Sequence, residues 1–448
     1  MSRDTASGDR HSSIWHNPDF RRFLSGEFVT NLGDSLYSVA TLWLVFELTE
    51  SSLLVGVANF LLLSPWLLQF GAGPVVDRVS VRRLLVGLQL GQGVVVLVLP
   101  LAAFTGELSI GLLLAVVPVL SLMALLLTPV QTATLPRILS DDRLAKGNSL
   151  LATATLGLDT VFEAVGGLLI PTLGITALFL ADAATFGVAA LLFAGVVIPE
   201  TADETVDVDA SDDIDETGGV DGGGFGDAFR AYADDLRDGA SVLRGTVFVE
   251  MMFTSAVFHL ALGVMLAVLP AYAGTCGGGE AFGGAQTYGL LLGAFGVGRI
   301  IGSAVGPSLD GFRYGPLRAT TCLTSTVLWV GSVAAGSRLL TVVLFGLAWV
   351  PTGANGVLVS TLNQRVFPQS VLGRIAGIKG TASTATLPVG SLLGGVVGQV
   401  VGATTAMGVA VFGFAFTGAA FLLRPRLRRI PAVGDADASQ FAISFDEQ

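Results

Sequence analysis

Charge is scarce in this sequence. Only 13% of its 448 residues are Asp, Glu, Lys or Arg, whereas a water-soluble domain carries about 25%. With 52% hydrophobic residues and a mean hydropathy of +0.72, an ordinary soluble globular fold is excluded. Lysine is scarcer still: Lys146 and Lys379 are two of 24 basic residues. Two cysteines, Cys276 and Cys322, are too few for a disulfide framework or a zinc site, and His11, His16 and His259 show no ligand spacing. No metal or cofactor is therefore expected. There is no glycine-rich phosphate loop and no G-x-S-x-G elbow, so neither nucleotide hydrolysis nor a serine hydrolase is supported, and no enzyme is expected. A cleavable signal peptide is not evident either, because the stretch from Met1 to Arg22 is polar and the apolar run after it is long enough to stay in a membrane.

What the sequence has instead is a series of apolar stretches of the ~20 residues that a helix needs to cross a bilayer. They run over about 23–47, 53–74, 84–104, 108–130, 148–171 and 174–198, then 246–273, 286–307, 317–336, 339–362, 375–400 and 403–423. The 58 glycines suit such helices, since they let backbones approach closely. Between the two sets of six lies an acidic, Gly-rich stretch, and fourteen of the 35 acidic residues fall between Glu200 and Asp238. Residues 227–244 read as an amphipathic surface helix. The expected organisation is therefore an N-terminal segment 1–22, a six-helix bundle 23–198, an acidic linker 199–245, a second bundle 246–424 and a tail 425–448.

Basic residues orient these spans. Arg21 and Arg22, then Arg78, Arg82 and Arg83, then Arg137, Arg143 and Lys146 fall on one side, and the second half continues the pattern through Arg313, Arg318, Arg365, Arg374 and the Arg424–Arg429 cluster. Among the opposite loops only Arg338 interrupts it. By the positive-inside rule both termini and the linker are cytoplasmic, in a multi-pass protein of the plasma membrane. The acid-rich, lysine-poor composition reads either as that of a halophilic prokaryote or as a disordered acidic linker in a GC-rich genome. The halves also match in one constant register: Arg137 with Arg365, Thr153-Ala154 with Thr381-Ala382, Gly166-Gly167 with Gly394-Gly395, and Gly174 with Gly402. Parallel repeats of this kind occur in transporters that rock one half against the other around a central site.

The stretch Gly73-Pro74-Val75-Val76-Asp77-Arg78-Val79-Ser80-Val81-Arg82-Arg83 resembles the loop signature of the major facilitator superfamily, and Gly306-Pro307-Ser308-Leu309-Asp310-Gly311 resembles its repeat in the second half. Asn17-Pro18-Asp19-Phe20-Arg21-Arg22, Leu32-Gly33-Asp34, Arg143-Leu144-Ala145-Lys146-Gly147-Asn148 and Leu372-Gly373-Arg374 are similar to the branch that includes macrolide and enterobactin exporters. The resemblance implies an all-α membrane fold of twelve transmembrane helices in two pseudo-symmetric six-helix bundles, working as a monomer. It also implies a cytoplasmic gate in which Gly73, Asp77, Arg78 and Arg82, with Asp310 and Arg374 in the second half, form a state-dependent latch. Here the signature's central Gly-Arg is Ser80-Val81, and the Arg-x-x-Gln-Gly motif of many proton-coupled exporters is absent from the fourth span.

An ionisable residue inside a membrane is costly and asks for a reason. In the first span Glu27, Thr30, Asn31, Asp34, Ser38 and Thr41 recur every three to four residues, and positions 27 and 34 lie ~10 Å apart along one face. Such a stripe faces either a watery cavity, with Asp34 its deepest carboxylate, or a hydrogen-bonding neighbour helix. Asp159 and Glu163 are one turn apart on the fifth span; they read either as a proton-carrying pair or as structural partners of Arg299, the one base deep in a span. Arg299 reads equally as an attractor for an anionic substrate. Tyr37, Gln131, His259 and Asn355 are further candidates for a cavity wall.

These residues lead to the expectation of a secondary active exporter of an amphipathic small molecule, coupled to protons or to sodium. An importer or uniporter, a lipid or siderophore exporter, and a membrane sensor or scaffold that has lost transport remain open alternatives. The expected partners are the small-molecule substrate, the coupling ion and the lipid bilayer, with no nucleic acid.

Overall fold

The computed structural model describes residues 14–65, 80–152, 159–198, 245–276, 284–367 and 384–441. Within them the chain is helical, with one isolated bridge between Arg313 and Ala432 and no strand. The first half contains α1 (Pro18–Thr49), α2 (Ser52–Leu63), α3 (Val81–Thr105), α4 (Ile110–Ile138), α5 (Asp141–Ala152), α6 (Asp159–Leu173) and α7 (Ile175–Ala194). The second contains α8 (Val247–Thr275), α9 (Gly284–Val305), α10 (Tyr314–Val333), α11 (Arg338–Val366), α12 (Thr386–Val401), α13 (Ala403–Ala410), α14 (Phe412–Leu423) and the single turn α15 (Pro425–Arg428).

Seven described segments are long and apolar enough to cross a membrane: α3, α4, α7, α8, α9 with its extension to Leu309, α11, and the pair α13–α14. Three more, α2, α6 and α12, are apolar but shorter among the described residues. The remaining two of the twelve, α1 and α10, are long enough but more polar than the rest, and both carry charged groups into the interior. Apolar side chains such as Leu101, Leu191, Val327, Leu339, Val400 and Leu423 face outward, as lipid-facing positions do in a bundle whose backbone bonds are all internal.

Sequence determines where α1 begins. Asn17 Oδ1 accepts hydrogen bonds from the N–H groups of Asp19 (3.0 Å) and Phe20 (3.1 Å). Pro18 at the first helical position has no N–H to leave unsatisfied. Asn17 Nδ2 also donates to the Ile138 carbonyl at the end of α4 (2.7 Å), so the cap ties two spans together. Asn17→Ala is expected to lower the thermal stability of the purified protein by about 1–2 kcal/mol, measured as an earlier midpoint of unfolding in detergent. An unchanged midpoint would mean that other contacts hold this terminus.

The repeat is visible atom by atom. Gly166 packs on Leu36, and its counterpart Gly394 packs on Val264, which is itself the counterpart of Leu36 in the same register. Gly174 (φ +80°) and Gly402 (φ +84°) make the same turn, each N–H bonding a carbonyl one helical turn earlier, Ile170 and Gly398. A side chain at that φ would be strained, so glycine is the residue both turns need.

Among the described residues the halves meet along α6 with α9, α2 with α12 and α8, and α1 with α8. The α6–α9 contact is made by Gly167 against Gly289, and the α2–α12 contact by Gly56 against Gly395, backbone on backbone. Ser51 Oγ donates to Gln399 Oε1 (3.0 Å), and Trp43 stacks on Tyr288 with centroids 5.8 Å apart. All these contacts lie toward the helix ends remote from the chain termini. On the terminal face, Arg22 Nη1 donates to the Gly195 carbonyl (2.6 Å), and the tail through Phe441 folds back on the second half. There Tyr314 N–H donates to the Pro431 carbonyl (2.9 Å), and Phe441 packs on Phe248 (5.3 Å).

Candidate functional site

A cavity of about 350 Å³ lies between the halves. Its first-half wall includes Asn31, Asp34, Tyr37 and Ser38 of α1, Asn59 of α2, Gln92 of α3, Glu163 of α6 and Asp182 of α7, and Leu266, Tyr288 and Leu292 of the second half close it. The α1 stripe divides. Asn31, Asp34, Tyr37 and Ser38 line the cavity, whereas Glu27 is buried against α4, where its carboxylate accepts a hydrogen bond from Gln131 Nε2 (2.6 Å). Glu27 and Gln131 are therefore together, but apart from the cavity lining. Asp159 opens α6, and its side chain lies outside the description; Glu163, one turn on, lines the cavity beside Tyr288 and acts on it electrostatically.

Asp182 was not among the residues picked out by sequence. It is completely buried, and among the described residues neither carboxylate oxygen has a hydrogen-bond partner. Thr185 Oγ1 donates to the Asp182 backbone carbonyl (2.7 Å) and also lies close enough to the carboxylate to act on it. Gly33 brings α1 onto α7 here: a Cβ at Gly33 would stand 2.5 Å from Asp182 Oδ1. The next residue is Asp34, and the two carboxylates act on each other across this contact. The buried Gln92 Oε1 also lacks a partner among the described residues. An intramembrane acid without a bonded partner is expensive, so this wall suits a site that takes up and gives back a positive charge.

The second half has its own cavity, about 530 Å³, with no first-half residue in its described lining. Ser255, Phe258 and His259 of α8, Phe295 and Arg299 of α9, Arg318 of α10, and Trp349, Thr352 and Asn355 of α11 line it. His259 Nδ1 lies 2.8 Å from the Ser255 carbonyl, which makes Nδ1 the donor and leaves Nε2 outside that bond. Arg299 lies over the Phe295 ring, 5.1 Å from its centroid. Asn355 Nδ2 donates to Thr321 Oγ1 (3.1 Å) and to the Pro351 carbonyl (2.7 Å). Arg318, counted from sequence as an orienting charge at the edge of the 317–336 span, lies one turn inside α10.

The sequence profile of the transmembrane secretion effectors, a major facilitator family, matches residues 13–445. The chain belongs to this family. It is thus a multi-pass membrane transporter of the major facilitator superfamily and not an enzyme. No curated protein sequence matches it. Solved structures share the fold at low identity. A bacterial homologue of the iron transporter ferroportin in an inward-facing state is 16% identical, with a TM-score of 0.62 over 92% of this chain and 99% of that one. The nucleoside transporter NupG is 10% identical, with a TM-score of 0.63 over 90% and 98%. A bacterial homologue of the human lysosomal transporter Spinster, inward-facing and unoccupied, is 11% identical, with a TM-score of 0.62 over 94% and 98%.

Of the gate residues that the family resemblance implies, Gly73, Asp77, Arg78 and Arg374 lie outside the described residues of this major facilitator. Arg82 donates to the Ala194 carbonyl at the C-terminal end of α7, where the helix dipole favours a cation. Asp310 accepts through its backbone carbonyl from the Gly434 N–H (3.0 Å), and Arg365 donates to the Gly434 carbonyl, so the tail joins the terminal face at the second copy of the motif.

Proposed function

We propose that this transporter exports an amphipathic small molecule by alternating access, coupled to protons moving the other way. The observation that carries the reading is Asp182, a fully buried carboxylate with no hydrogen-bond partner among the described residues, facing Asp34 in a cavity between the halves. Two carboxylates in one enclosed site repel when both are charged, and a proton on either relieves the repulsion. Glu163, beside Tyr288, sits where the α6–α9 contact would feel its charge. Binding and release of a proton at this wall therefore act on contacts that have to part when the halves rock.

The outward direction is supported by the family's description as secretion effectors, and the positive-inside pattern supports an orientation with both termini in the cytoplasm. On that orientation the glycine contacts close the exterior face, and the substrate enters from the cytoplasm. The bundles 23–198 and 246–424 are the rocking bodies of a monomer, joined by the linker 199–245 and bounded by the segments 1–22 and 425–448. The lysine-poor composition suits a saline cytoplasm.

Export is tested in cells expressing the chain, with a panel of fluorescent amphipathic cations and anions, with and without a protonophore. Lower accumulation of at least one dye, reversed by the protonophore, is the expected result. Equal accumulation of every dye, with membrane insertion verified, would remove the export reading. Reversal by a sodium ionophore and not by the protonophore would remove proton coupling.

A further inference from the structure

We infer that the second-half cavity is an anion subsite, so that the transported molecule is an amphipathic organic anion held there through a carboxylate, sulfonate or phosphate group. Two guanidinium groups converge on the cavity from different helices, Arg299 from α9 and Arg318 from α10, and His259 joins them from α8. Their proximity is independent of the lining: the charges of both arginines act on the His259 ring. No carboxylate lines this cavity among the described residues, whereas the first-half cavity has three, from Asp34, Glu163 and Asp182.

A polar atom without a partner lies at the same place. The buried Thr352 hydroxyl, a donor, has no hydrogen-bond partner among the described residues. A buried donor left unsatisfied is destabilising, and an anionic oxygen would accept from the Thr352 hydroxyl as well as from the guanidinium groups. Guanidinium presents paired N–H donors that match a carboxylate or phosphate, which makes arginine the residue suited to this recognition. The amphipathic part of the substrate has its own wall. Phe258, Phe295 and Trp349 line the cavity, with Phe295 and Trp349 edge to face at 4.5 Å. This aromatic face favours a flat apolar body next to the charged group.

The two cavities adjoin. Leu262 lines the second and Leu266 the first, one turn apart on α8, and Phe295 and Leu292 stand in the same relation on α9. His259 and Asn31 also occupy equivalent positions in the repeat, and each lines its half's cavity. An anion bound at the basic wall would thus lie beside residues of α8 and α9 that are one helical turn from those lining the acidic cavity. This separates the two charges by role: the basic wall takes the substrate and the acidic wall takes the proton.

The inference deepens the export reading and borrows from it the word substrate, but binding needs no gradient, so the two fail separately. The full-length protein, purified in detergent, is titrated with 1-naphthylacetate, 1-naphthyl phosphate and the cation 1-naphthylmethylammonium. Quenching of tryptophan fluorescence and the shift in unfolding midpoint are both read. The two anions are expected to bind and the cation to bind at least tenfold more weakly. Arg318→Gln and Arg299→Gln are each expected to weaken anion binding at least tenfold, and Arg318→Lys less. If Arg318→Gln does not yield folded protein by size exclusion, the more exposed Arg299→Gln decides alone. Equal binding of anion and cation, binding of neither anion, or unchanged anion binding in the folded arginine variants would overturn the subsite. Repeating the titration in nanodiscs identifies the source of the anion. Loss of naphthylacetate binding in phosphatidylglycerol but not in phosphatidylcholine would mean that a lipid headgroup occupies the same subsite, whereas equal binding in both assigns the subsite to a soluble anion.

Discussion

Asp182→Asn is expected to abolish proton-driven export while leaving a folded, membrane-inserted protein that still exchanges substrate across the membrane when no gradient is applied. The side chain is completely buried on α7, and both its oxygens lack hydrogen-bond partners among the described residues. Asn has the same shape and carries no charge, so it resembles the protonated acid and does not release a proton. A proton carrier and a structural residue respond differently to this change. If Asp182 served only to hold α7 against α1, the amide would either keep the contact, with transport intact, or break it and lower stability. If it carries the proton, stability is kept or raised, because a buried charge has been removed. Coupled flux alone is then lost. The measurement compares ΔpH-driven uptake into inside-out proteoliposomes with counterflow in the same vesicles and with the unfolding midpoint in detergent. Wild-type ΔpH-driven uptake in the Asp182→Asn protein would remove Asp182 from the coupling path. Asp34→Asn is the companion variant, because the charge of Asp34 acts on Asp182.

That Asp182 came from the structure and not from the sequence has a physical reason. It is the only acid in a span that otherwise reads as an ordinary apolar helix, and hydropathy averages a lone carboxylate away. The polar stripe of α1 was conspicuous because six polar residues repeat at helical spacing. The rule that flagged Asp34, that an acid inside a span asks for a reason, applies with equal force to Asp182. What sequence lacked was the face: only the packing of Gly33 against Asp182 and Thr185 shows that this acid meets α1 rather than lipid. For Glu27 the alternative of a hydrogen-bonding neighbour helix is the one found, and Gln131, read as a cavity candidate, is its partner between α1 and α4.

The cavity role of Arg318 was missed for a different reason. A base at the very edge of the 317–336 span reads as a charge that orients it, yet Arg318 lies a turn inside α10 and lines the basic cavity. The architecture was more legible than the site. Twelve spans, the acidic break between two sets of six and the constant register between the halves all followed from apolar length and repeated glycines. These are properties of segments, whereas a cavity is a property of side chains from several segments that meet only in the folded bundle.

The repeated glycines lead to the second large effect. Gly167→Leu and Gly395→Leu are each expected to reduce transport to background while the protein remains folded, with the cavity held open toward the face remote from the termini. Both glycines sit between the halves, Gly167 on Gly289 and Gly395 on Gly56, and are repeat equivalents. A Cβ at Gly395 would meet the Ser52 carbonyl oxygen at 2.8 Å and Gly56 Cα at 3.1 Å. Backbone atoms cannot rotate aside as a side chain can, so the halves cannot close over a leucine. In a state where this face has parted, the added side chain has room. Substitution therefore costs energy in one conformation and little in the other, which is what shifts a two-state population. Gly298, packed on the Gly346 carbonyl within the second half, is the contrast. That contact does not open, so Gly298→Leu should overpack α9 against α11 and lower stability by about 1–3 kcal/mol. The readout is labelling by a membrane-impermeant maleimide of a single cysteine at Ser38, a cavity residue, in a background lacking Cys276 and Cys322. Faster labelling from the remote face in the Gly167 and Gly395 variants, but not in the Gly298 variant, is the expected pattern. Unchanged labelling together with normal transport would mean that closing this face is not part of the cycle.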